Sequence, residues 1–192
     1  MGMENAGGVT GLVLAGGDSR RFGANKALYP FDGQPMIAHV FESVSSVCQP
    51  VLIGVGTEPL PFEVVGTRQI RDEIPGAGPL AGIATAFHES ATPWLLTVAC
   101  DMPYLTEEAL RSLLKVRSPS LQAVVATSGD GRNHPLCACY HRNILPIVES
   151  QLALAQRAMR DLLKKLDHVQ TVLLPDGVLR NINTLIDIPP SG

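Results

Sequence analysis

The chain has 192 residues, 45% of them hydrophobic, and a net charge of 15 − 18 = −3. That length suits one domain burying about 70% of its unfolded surface, and the apolar content excludes a disordered chain. The acidic balance excludes a general nucleic-acid binder, which would carry a basic stripe, and leaves any phosphate site dependent on local cations or a bound metal.

Met1 to Thr10 carries no basic n-region, and no apolar run reaches bilayer length, so no membrane attachment is expected. Val9 to Leu14 reads as a buried strand. It empties into a loop with glycines at 16, 17 and 23 and cations at 20, 21 and 26. Glycine lets backbone N–H groups approach a ligand that a Cβ would hold off, and successive N–H groups form a concavity suited to an anion. The cations add full charge. This loop is therefore expected to bind nucleotide phosphate. Two better-known loops are excluded. Asp18 stands where the dinucleotide fingerprint needs a glycine, and Lys26 lies between Asn25 and Ala27 instead of in a Gly-Lys-Ser/Thr run.

Pro30 to Gln34 is a turn with Asp32-Gly33 at its tip, and Pro35 suits the first turn of a helix through Val47. Val51 to Val55 is apolar on both faces, as parallel strands covered by helices are. A proline-bearing loop follows, then a short strand at Gln69 to Arg71. Asp72 to Gly78 is a second glycine loop. It opens a helix at Pro79, where free N–H groups and the dipole favour an anion.

Trp94 to Ala99 is the clearest central strand, and Asp101 follows it. Ligands of open parallel sheets bind beyond the carboxyl ends of the strands, so Asp101 should meet the first loop there. A carboxylate in that place is a natural ligand for magnesium. Thr106, backed by Glu107 and Glu108, caps the helix that runs to Val116. Leu121 to Ala126 and His134 to Tyr140 read as a hairpin-like pair of strands around Gly129-Asp130-Gly131, so the sheet is expected to be mixed. Asn143 to Leu166 is helical, in one piece or two, and Val169 to Leu174 is a last strand. The four cysteines, Cys48, Cys100, Cys137 and Cys139, form neither a disulfide framework nor a zinc set. Reduced thiols point to the cytoplasm.

The pattern G-G-x-S-x-R-x-G-x-x-K after L-A resembles nucleotidyltransferases of the GT-A-like, Rossmann-related class, and most of all the molybdenum cofactor guanylyltransferase family. Leu14, Ala15, Gly16, Gly17, Ser19, Arg21, Gly23 and Lys26 carry that likeness. Asp72 with Gly78, Pro79 and Leu80 resembles the family's second motif, and Asp101-Met102-Pro103 its metal-binding aspartate. His134-Pro135 and Asn181-Ile182-Asn183-Thr184 resemble segments on the acceptor side, although Leu185 to Ile188 departs from the usual continuation after the threonine.

The resemblance implies a single α/β domain over residues 1–192. Its expected form is a three-layer sandwich on a mostly parallel, mixed sheet, with a nucleotide half near 9–105 and an acceptor half near 106–188. It implies transfer of GMP from GTP to the terminal phosphate of molybdopterin, with Mg²⁺, or Mn²⁺ in its place, on Asp101. Lys26 and Arg21 would offset phosphate charge, and Asp72 would contact the guanosine. His134 and Arg157 would face the acceptor, and Asn181 and Asn183 would orient the acceptor or the metal. Transient contact with cofactor-biosynthesis proteins and recipient enzymes is implied too. The nearest rival enzyme is the CTP-dependent relative, which reads L-A-A-G where this chain has Leu14-Ala15-Gly16-Gly17, and another is a sugar-phosphate or phospholactate nucleotidyltransferase. The non-enzyme rival is a nucleotide-binding module that delivers cofactor.

Overall fold

Strands β1 (Val9–Leu14), β4 (Val51–Gly54) and β6 (Trp94–Ala99) form the parallel centre of a sheet, and β1 lies between the other two. A computed structural model describes residues 8–16, 25–56, 58–61 and 67–188 of the chain. A small ribbon, β2 (Pro30–Phe31) with β3 (Gln34–Pro35), precedes α1 (Met36–Ser45). Then come β5 (Thr67–Ile70), α2 (Pro79–Glu89), α3 (Glu107–Lys115), β7 (Ala123–Thr127), β8 (Asn133–His141), α4 (Leu145–Ala153), α5 (Met159–Leu163) and β9 (Val169–Leu173). The sheet order is β5-β4-β1-β6-β8-β7-β9, with β8 antiparallel to both neighbours and every other pair parallel. The expected mixed sheet is thus present.

Alternate side chains of each strand enter opposite cores. Val13, Ile53, Leu96, Val98, Cys137 and Cys139 meet Ile37, Val40 and Val44 of α1 and Leu110 and Leu113 of α3. Leu12, Leu52, Leu95, Ala138 and Tyr140 meet Leu80, Ile83 and Phe87 of α2, Val148 of α4 and Leu162 of α5. These are the three layers. All four cysteines are free and buried. Burial pushes the Cys48, Cys100 and Cys137 thiols up to about 12, so they stay neutral and unreactive at pH 7.

Several expected boundaries move. Pro35 is extended (φ −57°, ψ 139°) and pairs in the ribbon, so α1 begins one residue later, at Met36. The second strand stops at Gly54, and the strand expected at Gln69 to Arg71 is β5, set by pairing with β4. The segment from Asn143 splits. Ala155 adopts φ +55° after α4, which ends that helix before α5 begins. Thr106 caps α3 as expected, accepting from the Ala109 N–H.

Two of the helices on the second face, α2 and α4, are stitched by a histidine. His88 of α2 has Nδ1 3.2 Å from a Glu73 carboxylate oxygen and Nε2 3.0 Å from Glu149 of α4. A neutral ring donates from one nitrogen only, so two carboxylates favour the imidazolium. Its pKa is raised, first by the Glu73 hydrogen bond. A raised value gives stability that is full below the unfolded pKa near 6.5 and is lost as pH rises through the folded value. For so exposed a group, screening limits the gain to about 0.2–1 kcal/mol. His88→Ala is expected to lower the melting temperature by about 1–3 °C at pH 6, with the difference closing as pH rises through the folded value. Parallel thermal melts check this.

Candidate active site

The site is built where β1 and β6 end side by side. The Cys100 N–H donates to the Leu14 carbonyl at 3.0 Å, which brings Asp101 beside the first loop. On the other flank, the amides of Ala15 and Gly16 donate to the Gly54 carbonyl at 2.8 and 2.9 Å. Those two N–H groups are therefore already used. The other residues of the first loop, Gly17, Ser19, Arg21 and Gly23, lie outside the described residues.

Gly16 has another task. A Cβ there would stand 2.6 Å from the Gly56 nitrogen and 2.9 Å from its Cα. Both are backbone atoms and cannot swing aside. Gly16→Ala is expected to destabilise by about 1–3 kcal/mol by prising apart the two strand exits, measurable as a lower denaturant midpoint at unchanged slope.

Lys26 opens a 3-10 turn (Lys26–Leu28) that Asn25 caps by accepting from the Ala27 N–H at 3.1 Å. Its ammonium lies 2.7 Å from Asp101 Oδ2 and 3.2 Å from Asn183 Oδ1. The other Asp101 oxygen accepts from Asn181 Nδ2 at 2.8 Å. Ile182, between the asparagines, donates its N–H to the Asp101 carbonyl at 2.9 Å. Its side chain is fully buried in a cluster with Phe31 and Met36. The segment 181–183 is thus plugged into the loop after β6 and presents an amide on either side of the plug. Lys26 and Asp101 are only 17% and 18% exposed, so their pair is stronger than one on the open surface.

Two cavities flank this cluster. A small one, about 200 Å³, is lined by the motif residues Leu14, Ala15, Gly16, Lys26, Pro79 and Asp101, among others. A larger cleft, about 820 Å³, is lined by His134, Asn181 and Asn183 together with Arg132, Arg180 and Asp187. The cluster of Lys26, Asp101 and the two asparagines forms the boundary.

The remaining motif residues are placed as follows. Gly78 caps α2 at φ +74°, a left-handed conformation that favours glycine. Leu80 is fully buried in the core, so its side chain faces no cavity. Asp72 is among the lining residues of neither cavity. It stands beside Gly82, and burial raises its pKa. His134 is buried, with Nε2 3.1 Å from Ser128 Oγ, which in turn donates to Asp130. Desolvation lowers its pKa, so the ring is neutral at pH 7. Arg157 is not brought into the larger cleft; it donates to the Gly76 carbonyl at 2.8 Å, in the loop before α2. Arg160 and Lys164 pair with Asp161, and Lys165 bonds Gln156, so these cations form a solvated face with local partners.

Sequence reasoning missed Arg180 and Asp187, which line the larger cleft. The signal for Asp187 was available: Thr184-x-x-Asp187 has capping-box spacing.

Among the described residues no group of three or more His, Cys, Asp or Glu side chains can hold a metal. A cage made of protein alone is not what magnesium asks for, since it takes one or two carboxylates with waters and phosphate oxygens. Here two hard oxygens, Asp101 Oδ2 and Asn183 Oδ1, already converge on one cation, the Lys26 ammonium. The donor set fits.

The family model for the MobA-like NTP transferase domain matches residues 11–169. The chain belongs to that family. It is 33% identical to a Mycobacterium tuberculosis H37Rv protein named "Probable molybdenum cofactor guanylyltransferase", over 92% of this chain and 89% of that one. A crystal structure of an Aquifex aeolicus protein is similar with a TM-score of 0.76 at 26% identity, covering 91% of this chain and 93% of that one. The molybdopterin-guanine dinucleotide biosynthesis protein A of Archaeoglobus fulgidus matches with a TM-score of 0.74 at 24% identity, covering 93% and 94%. The last likeness is one of fold. Membership in the MobA-like family agrees with the resemblance read from the first loop, and makes the chain a nucleotidyltransferase of Rossmann-like architecture.

Proposed function

We propose that this protein transfers GMP from GTP to the terminal phosphate of molybdopterin, forming the guanine dinucleotide cofactor and releasing pyrophosphate. The observation that carries the reading is the cluster of Lys26, Asp101, Asn181 and Asn183 on the boundary between two cavities. In-line transfer needs a nucleotide on one side of the reacting phosphorus and an acceptor on the other. The small cavity, walled by the first loop and α2, suits the phosphates of GTP. The larger cleft, about 820 Å³, has room for a second, larger substrate; Arg132 and Arg180 would contact its phosphate, while Asp130, Asp176 and Asp187 share the lining. Residues 9–105 then form the nucleotide half and 106–188 the acceptor half.

Asp101 and Asn183 would hold Mg²⁺, or Mn²⁺ in its place. When bound, the ion would neutralise charge on the α-phosphate and the departing pyrophosphate. Lys26 leaves Asp101 for the phosphates and offsets the same developing charge from the protein side. Asn181 keeps its amide on Asp101 and so fixes the carboxylate plane. An acceptor phosphate oxygen attacks the α-phosphorus, and the bond to pyrophosphate breaks. No covalent nucleophile is needed, because positioning and charge supply most of the catalysis. The fit of the site to a transferase, and the names of the relatives at about a third identity, support this reading over a cofactor-delivery module.

No helix among the described residues is long and apolar enough to cross a membrane. Buried, reduced thiols support a cytoplasmic address, where passing contact with cofactor-biosynthesis proteins and recipient enzymes would hand the product on. The test is equilibrium binding of GTP and CTP with and without Mg²⁺, followed by pyrophosphate release with molybdopterin. Magnesium-dependent preference for GTP is expected. Preference for CTP would move the protein to the cytidylyl branch, and binding without pyrophosphate release would favour the delivery module.

A further inference from the structure

Asp187 ends the 3-10 turn Leu185–Asp187 and lies at the lining of the larger cleft. Its Oδ2 accepts three hydrogen bonds: from the backbone N–H of Asn183 at 2.8 Å, that of Thr184 at 2.7 Å, and the Thr184 hydroxyl at 3.1 Å. The turn closes with the Asp187 N–H on the Thr184 carbonyl at 3.1 Å. It is tied down by Arg180, whose Nη2 donates to the Asp187 carbonyl at 2.9 Å while its guanidinium lies 5.7 Å from the Tyr104 ring centre.

The two asparagines are not held alike. Asn181 adjoins the buried Ile182 plug and bonds Asp101 directly. Asn183, on the other side of the plug, is exposed where Asn181 is half-buried, and no helix or strand holds it. Left to itself it would sample many backbone states. An ionised acceptor on two consecutive N–H groups is a strong, directional restraint on that backbone. We propose that Asp187 is a positioning residue: it locks the Asn183 backbone so that Asn183 Oδ1 stays on the cation position shared with Asp101. The inference rests on the function proposed above, and it deepens the account of that site.

The test uses the full chain with Mn²⁺ as the probe, titrated by electron paramagnetic resonance with a GTP analogue that cannot be cleaved between its α- and β-phosphates. Wild type is compared with Asp187→Ala, Asn183→Ala and the double variant. Removing a group that orients a metal ligand costs about tenfold or more in metal affinity. Asp187→Ala is therefore expected to raise the half-saturating Mn²⁺ about tenfold. Asn183→Ala should do the same, and the double variant should be no worse than Asn183→Ala alone. Asp187→Asn keeps the shape and an acceptor oxygen, so it should recover most of the loss; should the alanine variant fail to fold, Asp187→Leu, similar in size but without an acceptor, takes its place with the same expected loss of about tenfold.

Multiplying effects in the double variant would overturn the proposal, because Asp187 would then act by another route. So would wild-type Mn²⁺ affinity in Asp187→Ala beside an impaired Asn183→Ala, and in that case the site reading survives. Wild-type affinity in both variants would overturn this inference and the placing of Asn183 on the metal together.

Discussion

Asp101→Ala is expected to lower turnover about a hundredfold or more while the fold stays intact. The carboxylate stands at the end of β6, where it receives Lys26 on one oxygen and Asn181 on the other. Alanine removes the carboxylate that lies 2.7 Å from the Lys26 ammonium. It also leaves the Asn181 amide without its acceptor. The backbone contact that seats the C-terminal segment, Ile182 N–H to the residue 101 carbonyl, survives the change. The loss should therefore appear in catalysis and hardly in melting temperature. It also predicts a signature in binding. Without the carboxylate, Lys26 loses its competitor for phosphate, so GTP binding in the absence of metal should hold or tighten. The increment that metal adds should vanish. Near-normal turnover, measured as pyrophosphate release, would remove Asp101 from the reaction.

Lys26→Ala should cost a comparable factor in turnover, again about a hundredfold, but its binding signature has the opposite sign. The ammonium balances Asp101 at 2.7 Å. Deleting it leaves a mostly buried carboxylate facing an anionic ligand, so metal-free GTP binding should weaken. Arginine is no conservative replacement, since its planar fork does not fit the place of a compact ammonium between two oxygens. Because the two residues touch, the double variant should fall well short of the product of the single losses. Full multiplication of the two losses would mean that the pair does not act as a unit.

Much of this arrangement was legible in the sequence because it is local. The apolar runs that became β1 and β6 need no tertiary information, and neither does the Thr106 cap. Asp101 is expected near a ligand because ligands of parallel sheets bind beyond the strand ends, whatever the rest of the chain does; the fold brings it against Lys26 and Asn181. Other features depend on partners far along the chain. Lys26 and Asn183 meet across 157 positions, and Arg157 finds Gly76 across 81. No periodicity encodes such meetings, so Arg157 was expected at the acceptor and lies at the loop before α2. Gly16 was read as a place where phosphate approaches the backbone. Its crowding against Gly56 is a packing demand that only the folded chain exhibits.

The order in which the site is assembled also has a consequence for synthesis. Lys26 and Asp101 leave the ribosome well before the segment that carries Asn181 and Asn183. A chain stalled short of that segment can pair β1 with β4 and β6, yet it lacks the Ile182 plug and both amides that frame the aspartate. Nascent protein of this kind would hold a half-walled site. Catalytic competence should therefore arrive late and abruptly, with the docking of a few residues just after β9.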